Sequence, residues 1–263
     1  MTSTSLFNLP EPNVDARLRL VCFSYAGGNA SHFLRWQRDL HPQAELVICQ
    51  LPGRGARLFE TPYDNMDDLV RDLATAVAAL VDKPLVFFGH SLGAKVAYEL
   101  GLAMQRRALP APIHTVVSAC AAPFRPREIP PIHALPDAEF IAAMGRLGGT
   151  PAQILRNAEL MALCLPALRA DYKLVETYLN TSRQVVAGRL TLLGGAEDYL
   201  VSPELLSEWG TLYEKVIEAC WFSGGHFFIN EKSDQVLKFL NESVLEFNLC
   251  RMDGRSLNFD MAL

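Results

Sequence analysis

Six short apolar runs are spaced along the chain, and stretches of helical periodicity separate them. The runs are Leu18–Phe23, Leu46–Cys49, Leu85–Phe88, Ile113–Ser118, Leu190–Leu193 and Val216–Phe222. Near-continuous apolar strands must bury both faces, which is the condition of a parallel sheet covered by helices on each side. The intervening stretches suit that role. Asp67–Val81 aligns Leu69, Leu73, Val77 and Leu80 on one face, and His32–Leu40, Ser91–Arg106, Pro203–Trp209 and Ser233–Phe247 are further helix candidates. The pattern predicts an α/β fold.

One stretch breaks the alternation. Between residues 123 and 182 there is no strand-like run; Pro123, Pro126, Pro130 and Pro131 open a loop, and helical patterns follow at Asp137–Arg146, Ala152–Arg156 and Glu159–Tyr178. Sixty residues of helix between two strands read as a cap over a site. At 263 residues the chain is long enough to bury its own core without a disulfide or a metal. We expect one domain over residues 1–263, with its core at about 15–122 and 183–247, a lid insertion at about 123–182, and a loose tail from 248 to 263.

The net charge of −5 argues against a bulk electrostatic footprint for nucleic acid. No apolar stretch approaches a membrane span, and no signal peptide is visible at the N-terminus. The six cysteines are scattered singly, with no C-x-x-C pair. They read as reduced thiols of a cytoplasmic protein, with neither a metal site nor a cofactor expected.

Chemistry concentrates at Gly89-His90-Ser91-Leu92-Gly93. A bare G-x-S-x-G match is weak, since chance alone supplies on the order of 0.1 in a chain this long. Here it follows the run Leu85–Phe88 and opens a helical stretch, the strand–turn–helix setting of a nucleophile elbow. The turn is too tight for a Cβ at the flanking glycines, and it presents Ser91 at the top of the sheet. A serine hydroxyl needs a base, and in this arrangement the base comes after the last core strand. His226, in Gly224-Gly-His-Phe-Phe228, stands there; the other five histidines do not. An acid must orient the imidazole. Asp198, directly after Leu190–Leu193, is the best placed, with its neighbour Glu197 as rival. Asp171 reads as a solvated or helix-pairing charge. For the oxyanion, the Leu92 N–H supplies one donor and the loop Tyr25-Ala26-Gly27-Gly28 the second, assigned to Ala26 with Tyr25 and Gly27 as alternatives.

Taken together, these segments resemble the type II (external, editing) thioesterases of polyketide and nonribosomal peptide assembly lines, a family of α/β-hydrolases. The resemblance runs from about Arg19 to Glu231. It rests on Tyr25-Ala-Gly-Gly with Phe33 and Trp36, Pro52-Gly-Arg-Gly-Ala-Arg57, the serine motif, Leu147-Gly-Gly-Thr-Pro151, Leu165-Pro-Ala-Leu-Arg-Ala-Asp-Tyr172 and Gly224-Gly-His-Phe-Phe228. Ser24 departs from it, where many members carry proline, and the tail past Asn248 has no counterpart. The resemblance implies an α/β-hydrolase fold with a helical lid and a triad of Ser91, Asp198 and His226. Ala26 and Leu92 would be the oxyanion donors. It further implies hydrolysis of acyl thioesters on the phosphopantetheine arm of an acyl or peptidyl carrier protein. Arg54 and Arg57 would meet that carrier or the pantetheine phosphate, or lie in a solvated loop. A monomer is expected. The alternative reading is a serine esterase or acyltransferase of the same fold, using an alcohol or amine acceptor.

Overall fold

The computed structural model describes residues 6–150 and 152–254. Seven strands form one sheet: β1 (Phe7–Asn8), β2 (Leu18–Phe23), β3 (Ala44–Cys49), β4 (Leu85–His90), β5 (His114–Ser118), β6 (Val186–Gly195) and β7 (Tyr213–Phe222), in the order β1-β3-β2-β4-β5-β6-β7. β1 runs antiparallel to β3 and every other pairing is parallel. Side chains alternate across a strand, so a strand apolar throughout feeds two cores. β2, apolar but for Arg19, does this: Leu18, Leu20 and Cys22 join one cluster with Phe33, Trp36 and Phe88, while Val21 and Phe23 join another with Phe87, Leu73 and Val96.

The helices that supply those clusters are α1 (Ser31–Leu34), α2 (Met66–Ala76) and α3 (Leu92–Arg106) early in the chain, and α8 (Phe228–Glu231), α9 (Ser233–Phe239) and α10 (Glu246–Met252) late, while α7 (Pro203–Ser207) puts Leu206 into a third cluster with Tyr98 and Trp209. Asn65 starts α2 by accepting the N–H groups of Asp67 and Asp68, the side-chain cap that satisfies donors left over at a helix start. Between β5 and β6 lie α4 (Asp137–Leu147), α5 (Ala152–Leu155) and α6 (Ala158–Thr177). They form their own apolar cluster around Phe140, Met144, Met161 and Leu168. Toward its end α6 leaves that cluster, because Leu174 packs with α2 and α3.

Two expectations need correction. Val216–Phe222 is not a strand buried on both faces. β7 is the edge of the sheet, and Val216 and Trp221 are 44% and 40% exposed. The tail is not loose from residue 248. After a π-helical turn at Leu240–Leu245, α10 continues to Met252 with Asn248, Leu249 and Cys250 buried. Asn248 Nδ2 donates to His114 Nδ1 (3.0 Å) and to the Val244 carbonyl (2.7 Å), which gives both amide protons of this buried side chain a partner. Residues 255–263 of the expected tail lie outside the described residues.

Candidate active site

The sharp turn after β4 positions the first group. Ser91 has φ 53° and ψ −116°, a region that L-residues adopt only under constraint. The constraint is visible. A Cβ at Gly93 would collide with the carbonyl of Phe23, and one at Gly89 with the backbone of Gly93 and Ala94. Only glycines let α3 start this close to the sheet. The Ser91 N–H donates to the Ser118 carbonyl at 2.8 Å, which ties the turn to the end of β5.

His226 arrives from the loop after β7. Its Nε2 is 3.0 Å from Ser91 Oγ and its Nδ1 is 2.9 Å from Asp198 Oδ2. Asp198 sits in the loop after β6. Its Oδ1 accepts the N–H groups of Leu200 (2.8 Å) and Val201 (3.2 Å), so the carboxylate is fixed and its second oxygen is aimed at the imidazole. The Asp198 and His226 side chains are 1% and 9% exposed. The rival Glu197 is turned elsewhere: its carboxylate accepts the Gly224 N–H, and its own N–H donates to the Gly224 carbonyl. Glu197 therefore braces the loop that carries His226.

The sequence assigns His90 no role beyond its place in the serine motif. It is fully buried. Its Nε2–H donates to the His226 carbonyl at 3.0 Å, and its Nδ1 accepts from Ser118 Oγ at 2.8 Å. Burial, reinforced by repulsion from His226, pushes its pKa well below 6.5, which keeps the ring neutral for that pair of bonds. It thus tethers His226 through the backbone. Its place inside the serine motif was the only available signal, and the partner 136 residues away was not.

Ala26 and Leu92 both line the cavity that contains Ser91 and His226, a space of about 500 Å³. Gly27 drops out as an oxyanion donor because its N–H is bonded to Asp171 Oδ2 at 2.7 Å. The far wall is built partly from the helical insertion, with Leu147, Tyr172 and Val175 facing in. Lys95, one helical turn beyond Ser91, also lines it, and burial lowers its pKa.

Three charges differ from their expected places. Asp171 is not solvated; it is 1% exposed and accepts two bonds from Arg54, at 2.6 and 2.7 Å. Arg57 is also buried, donating to Glu60 and to the Gln50 carbonyl. Neither arginine offers a free head to a carrier protein or a phosphate. Arg54 is consumed by a partner 117 residues away, and Arg57 by one only three residues on.

Known proteins are similar to this chain over most of its length. It is 34% identical over 228 residues to the gramicidin S biosynthesis protein GrsT of Aneurinibacillus migulanus, covering 87% of this chain and 89% of that protein. It is 34% identical to the thioesterase PikA5 of Streptomyces venezuelae, covering 90% of this chain and 83% of that one. The solved structure of the type II thioesterase BorB from the borrelidin biosynthetic cluster superposes with a TM-score of 0.82 at 30% identity, covering 92% of this chain and 99% of BorB. The Thioesterase domain family matches residues 18–244. That match starts at the first residue of β2 and ends in the π-helical turn, taking in every parallel strand and every loop that carries the site; the chain belongs to the thioesterase domain family.

Proposed function

We propose that this protein is a type II thioesterase that hydrolyses acyl groups from the phosphopantetheine arm of an acyl or peptidyl carrier protein. Ser91 is the nucleophile, His226 the general base and Asp198 its orienting acid. The observation that carries this reading is the continuous relay Ser91 Oγ–His226–Asp198, with contacts of 3.0 and 2.9 Å, opening onto a cavity of about 500 Å³.

In this mechanism the Ser91 oxygen attacks the thioester carbonyl while His226 Nε2 takes the hydroxyl proton. Asp198 holds the Nδ1–H tautomer and stabilises the imidazolium. The tetrahedral oxyanion lies against the N–H groups of Ala26 and Leu92; one such donor is worth about 2.7–4 kcal/mol of barrier. Collapse breaks the C–S bond, and the pantetheine thiolate leaves with the proton from His226. Water, deprotonated by the same histidine, then attacks the acyl-serine and releases the carboxylic acid. Helices α4–α6 act as a lid over the acyl chain, which accounts for Leu147, Tyr172 and Val175 facing the nucleophile.

The test is intact-protein mass spectrometry of a panel of acyl-loaded carrier proteins incubated with wild type and with Ser91→Ala. Loss of the acyl mass with wild type alone supports the reading. Carriers left fully loaded, with activity on simple esters or transfer to an added alcohol or amine, would replace it with the esterase or acyltransferase reading.

A further inference from the structure

Two of the sequence segments singled out above, Pro52–Arg57 and Leu165–Tyr172, contain no member of the proposed relay. They meet each other. Arg54 Nη1 and Nη2 donate to the two oxygens of Asp171, a bidentate pair with side chains 11% and 1% exposed. A buried pair of this kind is a weak source of stability, because desolvating both ions offsets much of their attraction. Its remaining contacts suggest another use. Asp171 Oδ2 also accepts the Gly27 N–H at 2.7 Å, and Arg54 Nη1 also donates to the Gly28 carbonyl at 3.1 Å. Both contacts fall on the loop that carries Ala26.

That loop is a four-residue turn closed by the Gly28 N–H on the Tyr25 carbonyl at 2.8 Å. Gly27 has φ +78°, the value required at the second central position of a type II turn. Type I and type II turns differ by a flip of the peptide between the two central residues, here Ala26–Gly27. A run of alanine and two glycines sets only a small intrinsic preference between them. Asp171 supplies the preference: a carboxylate attracts the Gly27 N–H and repels the Ala26 carbonyl that a flip would turn toward it. The peptide on each side of Ala26 is then held, the preceding one through the Tyr25 carbonyl and the following one through Asp171. Helix α6 also contacts the loop sterically, since Leu168 lies where a Gly27 Cβ would be.

We propose that Arg54 and Asp171 are positioning residues: by fixing the Ala26–Gly27 peptide and the Gly28 carbonyl they anchor the Tyr25–Gly28 turn, and with it the neighbouring Tyr25–Ala26 peptide whose N–H meets the oxyanion. One half of the oxyanion hole is therefore held from the helical insertion rather than from the sheet. This inference rests on the proposed serine mechanism. It assigns α6 a fixed role in assembling the site, distinct from that of a cover.

The experiment compares wild type, Asp171→Asn, Arg54→Lys and the double variant Arg54→Met/Asp171→Leu. The substrate is a butyryl thioester of N-acetylcysteamine, measured well below each variant's melting temperature. Active sites are counted by phosphonate labelling. The double variant leaves no unpaired buried ion, so it keeps the test open if a single variant fails to fold. The expected result is a fall in kcat of about 10- to 100-fold in Asp171→Asn and the double variant, with KM within about twofold, since misplacing a preorganised donor acts on the transition state. Arg54→Lys, which keeps the charge without the fork, should recover part of the loss. Affinity for an alkyl trifluoromethyl ketone, whose serine adduct carries the oxyanion, should fall in step with kcat/KM, while affinity for butyrate stays level. A merely structural pair would lower the melting temperature and leave the ketone-to-butyrate ratio unchanged; that outcome, or a loss confined to KM, overturns the proposal. If wild type is not labelled by phosphonate, the serine reading itself fails and this inference falls with it. Labelling and turnover that persist unaltered in the variants overturn the inference alone.

Discussion

Ser91, the proposed nucleophile, sits in a strained backbone conformation. Its φ of 53° is tolerated because Gly89 and Gly93 allow α3 to crowd the sheet, and because the Ser91 N–H is held by Ser118. Relieving that strain should separate stability from turnover. Ser91→Ala and Ser91→Gly are both expected to be inactive, with Ser91→Gly the more stable by about 1 kcal/mol in urea unfolding. Asp198→Asn should lower kcat by about 10⁴-fold with the fold intact, because an amide favours the wrong tautomer of His226. The buried histidines act on stability instead. Burial, with repulsion from Arg189, lowers the pKa of His114 from 6.5 to about 3. Below pH 6.5 the unfolded chain therefore binds more protons than the folded one, and acid favours unfolding. The contribution of His114 is full above that pH and is lost on acidification toward pH 3, by up to about 1.4 kcal/mol per pH unit. His90, shifted in the same direction, adds to it. Urea titrations from pH 7 to about pH 4.5 should show a shallower loss of stability in His114→Gln than in wild type.

The strands and helices show where local pattern predicts well and where it does not. The apolar run Leu18–Phe23 matches the strand residue for residue, and the strand and helix on either side of the serine turn end within two residues of their expected limits. β7 was recognised as a strand, but its place at the sheet edge was not, because apolar length reports burial of a segment and not its neighbours. The C-terminal helix was missed for the opposite reason. Asn248, Arg251 and Asp253 read as a polar end, yet Asn248 is 1% exposed and bonded to His114, 134 residues earlier. Leu249, at 2% exposure, packs in the same cluster as Leu245 and Trp36. Leu249→Ala should therefore cost about 2–5 kcal/mol, seen as a lower urea midpoint at unchanged m-value. A loose tail would show no change.

Across the whole molecule, the helical insertion divides into two parts. α6 is bound to the core by Arg54–Asp171, by Leu174 and by Tyr178 Oη donating to Glu99 at 2.7 Å. α4 packs on α6, with Phe140 edge-on to Tyr172 at 5.4 Å and Arg169 bonded to Asp137. Segments with a small separate cluster open at lower free energy than a central sheet. Amide hydrogen exchange should find α4 exchanging through openings that leave α6 and strands β2–β6 protected. Equal protection across α4 and the sheet would mean that the insertion and core unfold as one unit.

The parallel sheet and the order of the elements were legible in the amino-acid sequence because each is written in local pattern, and so were the positions of the three residues proposed for the relay. Continuous apolar runs mark strands, and a serine between glycines after such a run marks the turn. The base and acid follow the strands that carry them in chain order. Outside the relay, several charges and polar side chains were misread because their partners are distant in sequence. Asp171 looked solvated until α6 brought it to Arg54, 117 residues earlier. Asn248 looked exposed until α10 docked on His114, and His90 had no evident task until the loop of His226 closed over it. A buried polar group persists only if its hydrogen bonds are satisfied, and which group satisfies them depends on how the elements pack rather than on the residues nearby in the chain.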